Sequence, residues 1–262
     1  MTILVGADPE LFLKKDGSFI SAFGLIKGDK ETPHPVANGA VQVDGMAAEF
    51  NIDPASNEEE FIANLESVMS TLKSMVGDLD LVAEPTAHFD PEVMASQPEK
   101  ALELGCEPDF SAYTLEHNPK PDATGMNIRT GGGHIHIGWC DDADELSFSH
   151  ILKCSMVARQ LDLWLGVPSL TWDNDQERRS LYGMAGSFRP KRYGMEYRPL
   201  SNAWLRSRDL MSLVYKNAIT GVERFFAGNK DFQDIAVDDI INKGDVESAI
   251  NLCKEMGINY VR

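Results

Sequence analysis

The chain reads as an α+β protein, a mostly antiparallel sheet with helices on one face. Three observations predict this. Strand-like runs are separated by long helices and irregular loops, without regular βαβ alternation. No Gly-x-Gly-x-x-Gly follows a strand and no Walker A sequence occurs, so Rossmann and P-loop folds lack support. Hydrophobic residues make up 43% of the 262 positions, enough to bury a sizeable core in one large domain or a domain with a small appendage.

The elements follow from periodicity and punctuation. Residues 3 to 13 predict one strand, and residues 18 to 26 its hairpin partner after Asp16-Gly17. Residues 40 to 52 predict another strand, broken at Gly45. A helix is expected from Ser56, which forms a Ser-x-x-Glu capping box with Glu59. Its apolar positions Phe61, Ile62, Leu65, Val68, Met69, Leu72 and Val76 recur at 3.6-residue spacing, and Gly77 ends it. A strand is expected over 79 to 84, then an irregular stretch to Arg129 with one short helix near 98 to 105. Strands follow over 133 to 139 and 193 to 199. Helices are expected over 145 to 165, with Gly166 and Pro168 as stop signals, and over 208 to 227.

Charge narrows the function. The chain carries 24 basic and 41 acidic residues, a net charge of −17, which should repel a nucleic-acid backbone. The positive charge is concentrated, however. Residues 178 to 208 hold Arg178, Arg179, Arg189, Lys191, Arg192, Arg198, Arg206 and Arg208 against Glu196 alone, about +7, leaving about −24 elsewhere. Such a cluster suits a small polyanion such as nucleotide phosphates. A set of surface Arg–carboxylate pairs is the other explanation. No apolar run approaches the ~18 residues of a membrane span. The opening Ile3-Leu4-Val5 lacks a basic leader, so secretion is not expected. Cys106, Cys140, Cys154 and Cys253 have no paired spacing and read as reduced residues.

Four strand-like segments carry polar residues that packing does not require. Asp8 and Glu10 stand two apart and so share a face; two such acids repel unless a cation lies between them, and oxygen ligands suit magnesium. Glu49 lies among small and apolar neighbours; Asp44 has the opposite strand parity and joins it only if Gly45 marks a bulge. In Gly131-Gly132-Gly133-His134-Ile135-His136 the two histidines share one face, a metal-ligand spacing, and the glycines allow a bulky ligand close to the backbone. Glu196 and Arg198 share the face opposite Tyr197, as if for a metal and a phosphate. Acids for magnesium beside arginines for phosphate are the requirements of phosphoryl transfer.

These elements together resemble the carboxylate–amine ligases of the glutamine synthetase and glutamate–cysteine ligase superfamily, and more narrowly the phage phiEco32-like COOH–NH2 ligase type 2 family. The resemblance rests on GADPELF, VDGMAAEFN, GCEPDFSAY, GGGHIHIG and YGMAGSFRPKRYGMEYRPLSNAWL, spanning residues 6 to 205. It implies a glutamine-synthetase-like curved sheet whose concave face holds ATP and two or three Mg²⁺ ions, with Mn²⁺ as a substitute. It implies metal ligation by Asp8, Glu10, Glu49, His134 and Glu196. His136, Arg179, Arg189 and Arg198 would face the nucleotide, Arg189 as a transition-state arginine; Arg178 and Asp109 are carried over with them. Asp44 is the candidate base for the amine.

The function expected is therefore an ATP-dependent ligase working through an acyl phosphate, on a carboxylate and an amine that are small molecules or peptides. A homo-oligomer is compatible with this; a membrane or nucleic-acid partner is not expected, and the location expected is the cytoplasm, of the host if the gene is phage-borne. The ligase domain would span 1–227, with 228–262 a small acidic helical appendage. The rivals are a metal-dependent hydrolase, which leaves the arginines idle, and a nucleotide- or metal-binding protein without turnover.

Overall fold

The computed structural model describes residues 2–102, 109–119 and 126–261. The strands are β1 (Leu4–Ala7), β2 (Glu10–Lys15), β3 (Ser18–Ile20), β4 (His34–Val36), β5 (Gly39–Asp44), β6 (Ala47–Ile52), β7 (Asp80–Val82), β8 (Thr86–His88), β9 (Phe110–Ser111), β10 (Ile128–Thr130), β11 (Ile135–Gly138), β12 (Ser187–Lys191) and β13 (Gly194–Tyr197). The helices are α1 (Glu58–Val76), α2 (Pro91–Ala95), α3 (Glu99–Leu102), α4 (Phe148–Leu161), α5 (Val167–Ser169), α6 (Gln176–Leu181), α7 (Arg208–Phe226), α8 (Val237–Lys243) and α9 (Val246–Met256). A π-helical turn at Asp162–Gly166 joins α4 to α5, and a 3-10 turn at Asn202–Arg206 precedes α7.

The fold is α+β, with strands paired antiparallel in two main sheets. One sheet runs β1-β11-β13-β12-β9; the other runs β3-β2-β6-β5-β4, with β7 also on β2, and β8 pairs with β10. Alternation decides which face is core. Ile135 and Ile137 on β11, Met195 and Tyr197 on β13 and Phe188 on β12 point to one side and are buried in the main core with α4 and α7. Helix α1 covers the second sheet with Phe61, Leu65, Val68 and Leu72, the stripe its periodicity predicts.

Four local expectations need correction. Residues 3 to 13 are two strands, because the chain turns at Asp8-Pro9 and leaves one sheet for the other. Proline has no N–H for a ladder, which favours a break there. Residues 40 to 52 form a hairpin, with Asp44 opposite Ala47 across Gly45-Met46 and Gly45 at φ 56°. The cap of α1 lies one residue later: Asn57 accepts from the Glu60 amide at 3.0 Å while the Glu60 carboxylate accepts from the Ser56 amide at 2.8 Å. Gly166 and Pro168 do not stop the chain's helical course. The wider π turn supplies the Val167 N–H with Asp162 O, and Pro168 falls at the start of α5, where a missing N–H costs little.

The segment after 228 holds α8 and α9. Val237, Ile241, Ala249 and Cys253 pack there against Leu163, Trp164 and Val167 in a second buried cluster. Cys140, Cys154 and Cys253 are free thiols, while Cys106 and the end of the 98 to 105 helix lie outside the described residues. Among the described residues no helix is long and apolar enough to cross a membrane.

Candidate active site

Strand register aligns the charged side chains. Gly6 stands opposite His136, His136 opposite Glu196, and Glu196 opposite Arg189, one row across β1, β11, β13 and β12. Directly opposed residues of antiparallel strands share a face. His134 and Arg198, two positions along their strands, therefore join the same face, as does Lys191. Gly6 ends the row, where a side-chain carbon would make ordinary contact with His136 Cβ at 3.5 Å.

Asp8, just beyond β1, turns into this cluster. Its Oδ1 lies 3.2 Å from His134 Nδ1 and 3.0 Å from His136 Nε2, and His134 Nδ1 lies 3.4 Å from Glu196 Oε1. Glu196 is fully buried. It meets Arg198 at one oxygen, and Arg189 at 3.3 Å and Lys191 at 3.2 Å at the other. Asp109 holds Arg198 Nε from the side at 3.1 Å. The Tyr193 hydroxyl meets His136 Nδ1, leaving Nε2 facing Asp8.

The electrostatics follow from these contacts. Burial alone would raise the Glu196 carboxyl, but the Arg198 guanidinium beside it wins and brings it down to about 2. Asp8 behaves likewise: burial opposes its charge, and His136 and His134 hold it well below the usual carboxylate range. Burial and the Arg198 charge lower His134; His136 is pulled down by burial yet ends raised, because Asp8 favours its cation.

A second acidic group lies on the other sheet. Glu10 and Glu49 are register partners across β2 and β6, and Gln42 stands opposite Glu49, donating to its Oε2 at 2.6 Å. The hairpin at Gly45 puts Asp44 on the face of Gln42 and Glu49, so no bulge is needed to bring it there. Burial and then Asp44 push Glu10 up to about 7; burial and then Asp8, Asp44 and Glu10 push Glu49 well above its ordinary value. The Gly132 amide donates to Glu10 at 3.1 Å. A cavity of about 440 Å³ opens beside both groups, with Asp8, Glu49 and His136 in its wall and Leu4, Ile52 and Pro54 as apolar lining.

Not every expected residue reaches the site. Arg178 is buried and spends its guanidinium on the carbonyls of Gly131 (3.1 Å), Pro199 (2.9 Å) and Leu200 (2.8 Å). Arg179, expected at the nucleotide, is buried against the Asp173 carbonyl at 3.0 Å, and no described contact joins it to the cluster. Arg192 pairs with exposed Asp142, Arg206 donates to the Ala83 carbonyl and Arg208 pairs with Glu66. The positive segment thus divides, and only Arg189, Lys191 and Arg198 converge on Glu196. The glycine run serves the protein rather than a ligand: a Cβ on Gly132 would sit 2.6 Å from His134 Nε2, and one on Gly133 2.1 Å from the Ser201 carbonyl oxygen. Lys191, Gln42 and Tyr193 are site residues that motif reading passed over. Strand parity with Arg189 would have found Lys191.

The Asp8, His136 and Glu196 ligand atoms lie within 4.8 Å of one another and could hold a metal ion. The chemistry of the set fits one: Asp8 Oδ1 and His136 Nε2 are buried and face each other without meeting a hydrogen-bond partner among the described residues.

Comparison with known proteins bears on this arrangement. No curated protein sequence matches the chain. Among solved structures, a bifunctional glutathione synthetase from Pasteurella multocida is similar in fold, with a TM-score of 0.50 and 11% identity, over 98% of this chain and 45% of that one. The chain thus spans less than half the length of that protein. A family model described as phage phiEco32-like COOH.NH2 ligase-type 2 matches residues 123–246, which carry His134, His136, Arg189, Glu196 and Arg198. Over that segment, just under half of its length, the chain is similar to the phage phiEco32-like COOH–NH2 ligase type 2 family.

Proposed function

We propose that this chain is an ATP-dependent ligase that joins a carboxylate to an amine through an acyl phosphate. The observation that carries the reading is the row of His136, Glu196 and Arg189, which sets metal-type ligands directly beside three cationic side chains. In this reading Asp8, Glu196 and His134, with His136 at ligating distance, form one Mg²⁺ site, and Glu10 and Glu49 the core of another. Bound magnesium would neutralise phosphate charge, for which Mn²⁺ is an acceptable substitute.

The protein's own groups do the remainder. Arg189, Arg198 and Lys191 hold the transferring phosphoryl group, and Asp109 fixes the Arg198 fork. Asp44, on the acidic side, takes the proton from the attacking amine; Lys30 lies 3.8 Å from it. The acid-rich wall favours approach of an ammonium form, while the arginine side favours the carboxylate and phosphates. Residues 1–227 would form the catalytic unit, with 228–262 buttressing it from behind.

The test is Mg²⁺-dependent release of ADP or phosphate from ATP, screened over a matrix of carboxylates and amines. Release that requires both acceptors supports the reading. Hydrolysis by a tightly bound zinc ion would move the chain to the hydrolase class, and ATP binding without ADP release for any pair would leave a binding protein.

A further inference from the structure

Behind the sheet, opposite the charged cluster, lies a fully buried carboxylate that the chemistry above does not use. Asp162 opens the π-helical turn. Its Oδ1 accepts from the Tyr197 hydroxyl at 2.8 Å and its Oδ2 from the Tyr113 hydroxyl at 2.9 Å, and the nearby Gly186 backbone favours its charged form. A buried acid is costly unless its lone pairs are satisfied. Here two tyrosines from segments far apart in sequence each supply a partner, and a third segment, at Gly186, packs closely on the ring of one of them, Tyr113.

Each of those segments continues directly into the site. Tyr197 sits between Glu196 and Arg198 on β13, with its side chain on the opposite face. Gly186 precedes β12, which carries Arg189 and Lys191. Tyr113 follows β9, and Asp109, the partner of Arg198, directly precedes that strand. Packing around the carboxylate leaves little slack. A Cβ on Gly186 would lie 2.7 Å from the Tyr113 ring, and one on Gly166 would lie 2.8 Å from the Tyr197 hydroxyl. Gly186 also has φ 74°, so a side chain there would be strained as well as crowded.

We infer that Asp162 is a positioning residue of the active site: by holding Tyr197, Tyr113 and Gly186 together, it fixes Glu196 and Arg198, Asp109, and Arg189 relative to one another. The consequence for rate rests on the ligase reading; the positional claim does not. An asparagine at 162 fills the same volume but offers one acceptor oxygen instead of two, so one tyrosine loses its partner. A residue that merely fills space would then change stability alone. A residue that sets geometry should change rate, since small misplacement of reacting groups can cost ~10²-fold.

The test compares full-length Asp162→Asn and Tyr197→Phe with wild type, by backbone hydrogen exchange and by Mg·ATP turnover with the acceptors that wild type uses. Both variants should melt cooperatively. Exchange should rise about tenfold in 109–118 and 186–198 together, with α1 unchanged. The kcat should fall ~10- to 100-fold while KM for ATP moves less than ~3-fold. Exchange that is unchanged, or that rises equally throughout the chain, would overturn the inference, as would unaltered kcat. Should Asp162→Asn fail to fold, Tyr197→Phe carries the same comparison, because it removes only one hydroxyl. If wild type turns over no ATP with any acceptor pair, the ligase reading fails, and the exchange pattern still decides the positional claim.

Discussion

The two acidic groups of the site differ in how their charge is balanced. Asp8 and Glu196 on the five-stranded sheet have His134, His136, Arg189, Lys191 and Arg198 around them. Glu10 and Glu49 on the other sheet have Asp44 and Asp8 as charged neighbours, a glutamine, a backbone amide and the more distant Arg178. One side carries its own counter-charge; the other is left with excess negative charge. The first group is therefore balanced without ligand, and the second is where the proposed magnesium would relieve the most repulsion.

Substitutions can break that contrast. The largest effect is expected for Glu196→Gln. It removes the anion shared by three cations, so turnover should fall at least ~10³-fold and stability by about 3 kcal/mol, the scale for a broken buried pair. Turnover assays and denaturant melts check both, and near-normal turnover under limiting Mg²⁺ would remove Glu196 from the metal site. Next comes Arg189→Lys. Lysine keeps the charge but loses the planar fork, so kcat should drop ~10²-fold with little change in melting temperature. Wild-type turnover would return Arg189 to an ordinary salt bridge.

Arg178→Lys sharpens the contrast from the other direction. Its three carbonyl partners make it a structural clamp, so about 2 kcal/mol of stability should be lost, with turnover per folded molecule unchanged. A selective rise in KM for ATP would place it at the nucleotide after all. The smallest effect is expected for Glu49→Gln. Removing one of the repelling acids should raise the melting temperature by a few degrees in EDTA and lessen the stabilisation that Mg²⁺ gives wild type. A lower melting temperature in EDTA would show that Glu49 is already balanced.

How far the sequence foretold this arrangement depends on the kind of interaction. Period-two spacing put His134 with His136 and Glu196 with Arg198, because alternation in a strand is local and rigid. The apolar stripe of α1 was legible for the same reason. Partner choice was not legible. Arg178, Arg179 and Arg198 have the same side chain, yet the first two meet carbonyls and the third meets Glu196. That difference arises from α6 lying beside the Gly131 turn, a long-range event. The Gly45 hairpin and the Asp8-Pro9 crossing were misread because a break in a strand does not announce whether the chain bulges, reverses or changes sheets. Asp162 gave no signal at all, being one acid in a helix until the π turn buries it.

The crossing at Asp8-Pro9 also bears on biosynthesis. Asp8 reaches the cluster because β1 pairs with β11, Leu4 opposite Gly138. During synthesis Asp8 must wait for some 130 further residues before β11 can meet it, on the order of ten seconds at ordinary translation rates. Until then β1 has only the Ala55 backbone, which exchanges hydrogen bonds with Val5, and Asp8 has neither His134 nor His136 beside it. The order of synthesis makes completion of the site a late event.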